Sequence, residues 1–188
     1  MIFTYNGDII GCTKIGSSSK GIPRNIDHVG NMKSDDALFI LLVEKDSAFL
    51  RLTEDRFYNR FPCVIVKPRE GPEPDLATMK FLGKMRAELK LPVFALVDCD
   101  SCVLKRLGMR PGDLEPEKCR LPMTTEDVKT VENMLRKDYV KKNRGWVDEL
   151  ILMVKTGKKA EIEALCNFDF RFLSEVYLPL KLQELDWI

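Results

Sequence analysis

The sequence predicts an α/β protein in which a parallel sheet carries helices packed against it, and three observations point there. Three short, continuously apolar runs, "ALFILLV", "PCVIVK" and "PVFALVD", read as strands buried on both faces. Segments with helical periodicity separate them, and a strand, helix, strand, helix, strand order with short connections is the pattern of a parallel sheet. Past residue 100 the apolar runs give way to helical patterning, so a helical C-terminal part follows the sheet and no further strand is expected.

Element by element, residues 1–36 are rich in Gly, Ser, Asn and Lys and read as a lead-in segment, with extended pieces near "IIGCTKI" and a loop at "IGSSSKGIP". Residues 37–188 form the domain proper. "ALFILLVE" opens the sheet. "SAFLRLTEDRFYNRF" follows as a helix, with Phe49, Leu52 and Phe57 apolar and Ser47 as its N-cap. "PCVIVK" leads into the loop "PREGPEPD", and Asp75 caps a helix to Lys90 with the stripe Leu76, Met79, Leu82, Met85 and Leu89. After the third strand come "TTEDVKTVENMLRKDY", N-capped by Thr125 with Val128, Val131 and Leu135 on one face, and "WVDELILMVKTG", with Val147, Leu150, Ile151 and Val154 inward and Gly157 as its stop. "KAEIEAL" and "FLSEVYLPLKL" complete the helical part.

Composition removes several function classes. With 30 Lys plus Arg against 29 Asp plus Glu, no global field draws the chain to nucleic acid or to an anionic membrane, so any DNA contact comes from local patches. The longest apolar run is too short to span a bilayer, and "MIFTYNGD" lacks the features of a signal peptide. A soluble intracellular protein is expected, and its six cysteines are expected to be reduced.

Within "FALVDCDSCVL" two motifs overlap. Cys99 and Cys102 form a C-x-x-C, but His28 is the only histidine and no second cysteine pair exists to complete a zinc site. Asp98 and Asp100 flank Cys99 and would raise its thiol pKa, which argues against a redox dithiol. Asp98 ends the third strand and Glu44 ends the first, at the edge of an open parallel sheet where ligands bind. If the chain stays extended through Asp100, both aspartates share one side and Cys99 takes the other. Carboxylates gathered there need a cation, and oxygen ligands of this charge suit Mg2+ or Mn2+ and phosphoryl transfer. A lone D-x-D is more often a turn than a site; Glu44 at a second strand end shifts the balance. Lys45, Lys67 and Arg69, and the cluster Lys141, Lys142 and Arg144, are the cations that could meet phosphates, although most such residues are simply solvated. Trp146 is expected to anchor its helix rather than to stack a base.

These residues carry a family resemblance. "LFILLVEKDSAFLRLTEDRFYNRFPCVIV", "PDLAT" and "LPVFALVDCD" resemble the toprim region of the A subunit of DNA topoisomerase VI and of its relative, the meiotic double-strand-break transesterase. "RLPMTTEDVKT", "VKKNRGWVDELILMVKT", "KAEIEAL" and "FLSEVYLPLKLQELDW" look most like the plant branch of that subunit. The resemblance runs from about Ile9 to the C-terminus. It implies a Rossmann-like toprim fold, Glu44, Asp98 and Asp100 as metal ligands for Mg2+ or Mn2+, and DNA as substrate. It also implies pairing of two copies through this domain, an ATPase B-type subunit that alone brings in ATP, and a nuclear location.

The family's attacking tyrosine sits on a winged-helix domain ahead of the toprim region, and none of Tyr5, Tyr58, Tyr139 and Tyr177 resembles it. This chain alone is therefore not expected to cleave DNA. A further departure follows Asp100, where the family has a Pro-x-Gly turn, a helix and a strand before a Leu-Gly pair. Here only "SCVLKR" intervenes before Leu107 and Gly108, and six residues span at most about 20 Å, too little for a crossover. The domain is thus internally shortened near 101–107, and the loop "KPREGPEPD" keeps only Pro74 and Asp75 of the family pattern. Two rival readings remain: a non-catalytic dimerisation or DNA-binding module from a truncated or degenerate copy, and a small Mg2+-dependent nuclease or phosphatase.

Overall fold

The structure is a computed structural model that describes residues 1–12, 20–68, 76–98 and 120–186. The chain divides into two compact units, Met1–Phe94 and Ala95–Ile188. No described helix is long and apolar enough to cross a membrane.

The first unit begins with a sheet that the apolar pattern does not predict. Strands β1 (Ile2–Tyr5), β2 (Asp8–Gly11) and β3 (Val29–Lys33) form an antiparallel sheet in the order β2-β1-β3. Tyr5 pairs with Asp8 across a two-residue turn, Asn6-Gly7, whose φ angles are 52° and 90°. Both central residues of a type I′ hairpin need positive φ, which is why Asn-Gly closes so many hairpins. The signal is present in "TYNGDII", but too few apolar residues flank it to make either strand obvious.

The α/β pattern is confirmed in the three-stranded parallel sheet of β4 (Phe39–Val43), β5 (Cys63–Val66) and β6 (Val93–Leu96), in the order β5-β4-β6. β4 is the middle strand and all five of its residues are buried, as its unbroken apolar run requires. Its pairing with β5 is parallel, from Phe39 opposite Cys63 to Leu42 opposite Val66. Between these strands run α1 (Asp46–Glu54) and the short α2 (Phe57–Arg60) rather than one helix, because Arg56 adopts a left-handed conformation at φ 51°. Lys45, not Ser47, occupies the N-cap of α1, and its side chain makes no capping hydrogen bond.

Helix α3 (Leu76–Leu89) buries part of the stripe expected of it, Leu82 and Met85, on a face rotated toward Thr78 and Phe81. Thr78, Phe81, Leu82 and Met85 are buried, whereas Leu76 is 71% exposed and Met79 37% exposed. The antiparallel sheet explains the rotation. Phe3 meets Phe81 edge to face at 5.6 Å, and Glu88 Oε2 accepts a hydrogen bond from the backbone N–H of Met32 at 2.8 Å. Glu88 thereby satisfies a donor of the edge strand β3 that would otherwise face solvent. Asp75, the expected cap of α3, lies outside the described residues, as does the shortening near 101–107.

The second unit contains α4 (Thr125–Leu135), α5 (Asp138–Lys141) and α6 (Arg144–Thr156), closed around Val131, Met134, Val140, Leu150 and Met153. Met123, Leu135, Trp146 and Val147 pack against this cluster. Trp146 is accordingly an anchor, set edge to face with Tyr139 at 6.2 Å. The helix expected over 124–139 is interrupted after Leu135, and its N-cap is Thr124 rather than Thr125. On α6 the inward positions are Leu150 and Met153, while Ile151 (50%) and Val154 (37%) are exposed. Gly157 ends α6 in the left-handed conformation, φ 63°, as its identity foretold.

Strands do not stop after residue 100. β7 (Leu121–Pro122) pairs antiparallel with β8 (Lys158–Lys159), a ladder too short to leave any periodicity in sequence. A 3-10 turn at Ile162–Asn167, a π-helical turn at Leu173–Tyr177 and α7 (Leu178–Gln183) complete the unit. Lys181 is buried, pairs with Asp186 at 2.7 Å and lies over the Tyr177 ring.

Candidate functional site

The acidic residues singled out by sequence meet different local environments. Glu44 is the first residue beyond β4 and is half-buried. Asp98 lies two residues beyond β6, and only 4% of its surface remains accessible. A carboxylate buried to that degree is costly unless hydrogen bonds replace its lost hydration. One such bond is evident: Asp98 Oδ1 accepts from the backbone N–H of Ile162 at 2.8 Å. The partners are 64 residues apart in sequence, and the donor opens a 3-10 turn, where backbone N–H groups have no partner within the helix. Hydrogen bonds to a charged acceptor contribute roughly 1.5–3 kcal/mol, enough to set the plane of the carboxylate.

Asp100, the third expected ligand, lies outside the described residues, as do Cys99, Cys102 and Arg69. Among the described residues no three His, Cys, Asp or Glu side chains gather as a metal set. Asp98 and Glu44 nonetheless suit a hard divalent cation in kind: both are oxygen donors, and Asp98 accepts a backbone hydrogen bond of the sort that accompanies metal-ligating carboxylates. Of the described cysteines, Cys12 and Cys63 are free thiols. Burial pushes the Cys63 thiol up to about 12, which leaves it protonated and unreactive at neutral pH.

The expected cations are engaged to different degrees. Lys45 is half-buried at the start of α1. Lys67 forms an ion pair with Asp46, so a phosphate would have to displace that carboxylate. The cluster at the α5–α6 junction is more open. Lys141 pairs with Asp138 at 3.7 Å, Arg144 pairs with Asp148 at 3.8 Å with its own side chain 95% exposed, and Lys142 is exposed. Exposed pairs of this kind are worth less than about 1 kcal/mol, so they yield readily to a phosphate.

Tyrosine environments differ as well. Tyr177 is buried under Lys181 and Tyr58 is half-buried. Tyr5 belongs to β1 near His28, and Tyr139 is exposed beside Trp146.

Comparison with known proteins agrees with the fold. The family TOP6A-Spo11 Toprim, the Toprim domain of the topoisomerase 6 A-subunit/Spo11 proteins, matches residues 39–105 and 101–182. The A subunit of DNA topoisomerase 6 from Arabidopsis thaliana is 56% identical over 217 residues, covering 100% of this chain and 50% of that protein. The A3 subunit of DNA topoisomerase 6 from Oryza sativa subsp. indica is 50% identical, covering 100% of this chain and 48% of that protein. The human meiotic recombination protein SPO11 is 33% identical, over 97% of this chain and 53% of its own length. The chain thus spans about half the length of the curated relatives it matches. With an α/β sheet of toprim type, a family match over most of the sequence and relatives whose alignments cover nearly all of this chain, the chain belongs to the topoisomerase VI A-subunit/Spo11 family and carries its toprim domain.

Proposed function

We propose that this chain is the metal-binding toprim part of a topoisomerase VI A-like DNA transesterase, with Glu44, Asp98 and Asp100 as ligands of Mg2+ or Mn2+. The observation that carries the reading is the buried Asp98 carboxylate beyond β6, oriented by the Ile162 amide. Membership of a family whose members include a DNA topoisomerase 6 and the meiotic recombination protein SPO11 supports a DNA substrate. When bound, the ion would supply positive charge for a phosphate of the DNA backbone. The chain's own part is to supply the carboxylate oxygens for the ion and to steer the duplex. Lys141, Lys142 and Arg144 contact phosphates, with Lys45, Lys67 and Arg69 as further candidate contacts.

The strand-breaking nucleophile is not among Tyr5, Tyr58, Tyr139 and Tyr177. Tyr177 is buried and Tyr58 half-buried, and neither Tyr5 nor Tyr139 stands in a context like the family's attacking tyrosine. These 188 residues by themselves therefore bind rather than cleave. Cleavage would draw on a tyrosine supplied from outside them, pairing of two copies through this domain, and an ATPase B-type subunit through which ATP enters, in the nucleus.

A second reading, a non-catalytic dimerisation or DNA-binding module, is favoured by one specific observation. The family match comes in two blocks that meet at 101–105, and the Arabidopsis alignment runs over 217 residues although this chain has 188, so the relative carries residues in the aligned stretch that this chain lacks. This supports a shortening next to the D-x-D pair.

Thermal unfolding across a Mg2+ and Mn2+ series at fixed ionic strength separates the two. If the carboxylates form the site, metal raises the melting temperature with the logarithm of its concentration, and Glu44→Gln or Asp98→Asn abolishes the response while stabilising the metal-free form. Identical, metal-independent melting of all three proteins would leave the non-catalytic module.

A further inference from the structure

We infer that the backbone N–H of Ile162 is a positioning group for the metal site, through which the segment after β8 controls the orientation of the Asp98 carboxylate; this rests on the reading of Asp98 as a ligand. Three observations carry it. Asp98 is buried, so its orientation is set by protein groups rather than by bulk water. The Ile162 N–H donates to Oδ1 at 2.8 Å, a normal length for a strong bond to a carboxylate. The donor is itself firmly placed, since Ala160, Ile162 and Leu165 are all buried and β8 pairs with β7 just before them. A carboxylate whose plane is fixed in advance gives up less freedom on taking a metal, and outer groups of this kind typically govern metal affinity by 10–100-fold.

The local backbone permits a pair of substitutions that differ in whether the donor is kept. Ile162 is the first residue of its 3-10 turn, a position that tolerates proline. Glu161 before it is extended, at φ −112° and ψ 147°, the conformation a residue preceding proline prefers. Ile162→Pro therefore deletes the N–H, while Ile162→Ala deletes at least as much side chain and keeps it. Both lose packing at a buried site, and only the first loses the hydrogen bond.

The test is direct binding of Mn2+ to the full chain, read by electron paramagnetic resonance of the free ion, for wild type, Ile162→Pro, Ile162→Ala and Asp98→Asn. The expected result is a rise in Kd of roughly tenfold or more in Ile162→Pro, with Ile162→Ala close to wild type and binding lost in Asp98→Asn. Equal affinities for Ile162→Pro and Ile162→Ala, in a protein whose binding still depends on Asp98, would overturn the inference and leave the proposed metal site standing. Absence of binding in wild type, or binding indifferent to Asp98→Asn, would remove the metal site and the inference with it. Should Ile162→Pro not fold, the wild-type amide resonance of Ile162 serves instead. It should shift on titration with Mg2+, and no shift during Asp98-dependent binding would refute the proposal.

Discussion

Thr124 and Asp127 close the first turn of α4 on each other. The Asp127 carboxylate accepts from the Thr124 backbone N–H at 2.7 Å and its hydroxyl at 2.8 Å, and the Thr124 hydroxyl oxygen accepts from the Asp127 N–H at 3.1 Å. Lys159 of β8 adds an ion pair to the same carboxylate at 3.3 Å. The box thus joins the start of the helical bundle to the short ladder that precedes Ile162. The backbone hydrogen bond from Thr124, with help from its hydroxyl and from Lys159, outweighs burial and holds the Asp127 carboxyl below its usual value of 3.8.

Removing this box should destabilise the helical unit in a pH-dependent way. Thr124→Ala is expected to cost about 1 kcal/mol at pH 7 in urea unfolding. Because the folded pKa of Asp127 is depressed, its contribution is complete above the unfolded value of 3.8 and is lost as pH falls through the lower folded value. Asp127→Asn should accordingly be destabilising at pH 7 and approach wild type as pH falls through the depressed folded value. A wild-type to Asn difference that stays constant across that range would show that the charge of Asp127 contributes nothing.

Two glycines should respond to alanine with opposite signs. Gly83 lies within α3 with open space around its missing Cβ, so Gly83→Ala should stabilise by about 0.5–1 kcal/mol through helix propensity. Gly157 also has open space but sits at φ 63°, where an L side chain is strained, and Gly157→Ala should destabilise by about 1 kcal/mol. Denaturant midpoints of the two variants measured side by side are sufficient; a shift in the same direction for both would contradict the backbone assignments.

If the α5–α6 cations contact DNA, Lys141→Ala, Lys142→Ala and Arg144→Ala combined should weaken binding to a duplex of any sequence. The slope of log affinity against log salt should shrink by up to about 0.9 for each phosphate no longer neutralised. Stability should change little, since the partners Asp138 and Asp148 are exposed. An unchanged salt slope would assign these side chains to solvent.

Neither Cys99 nor Cys102 is expected to serve a metal. Double replacement by Ala should leave Mn2+ affinity and zinc content as in wild type, and stoichiometric zinc lost in the double variant would reverse that reading of the C-x-x-C.

What is legible in the sequence follows from how local each signal is. "FILLV" announces β4 because a strand buried on both faces cannot contain polar residues, and Gly157 announces the end of α6 because few other residues accept its φ angle. The Asn6-Gly7 turn is a legible signal too, although the strands it joins are not. The face of α3 is legible only in part: Leu82 and Met85 are buried as expected, but Leu76 and Met79 are as apolar and are not. Only the position of Phe3 and Met32 on the antiparallel sheet selects Phe81 and places Glu88 as an acceptor.

Sequence alone determined the α/β class, the order of the three apolar strands, the helical C-terminal part and the identity of Glu44 and Asp98 as acidic residues at strand ends. Each depends on hydrogen bonds and side-chain periodicity within a few residues, which the chain carries wherever it goes. Tertiary structure decided that β4 lies between β5 and β6, that an antiparallel sheet covers α3, and that the Asp98 carboxylate is held by an amide 64 residues away. Those outcomes turn on which apolar faces and unpaired polar groups find each other across the chain. A buried charge and an orphan N–H at a helix start are each costly alone, and the fold resolves both by bringing Asp98 to Ile162.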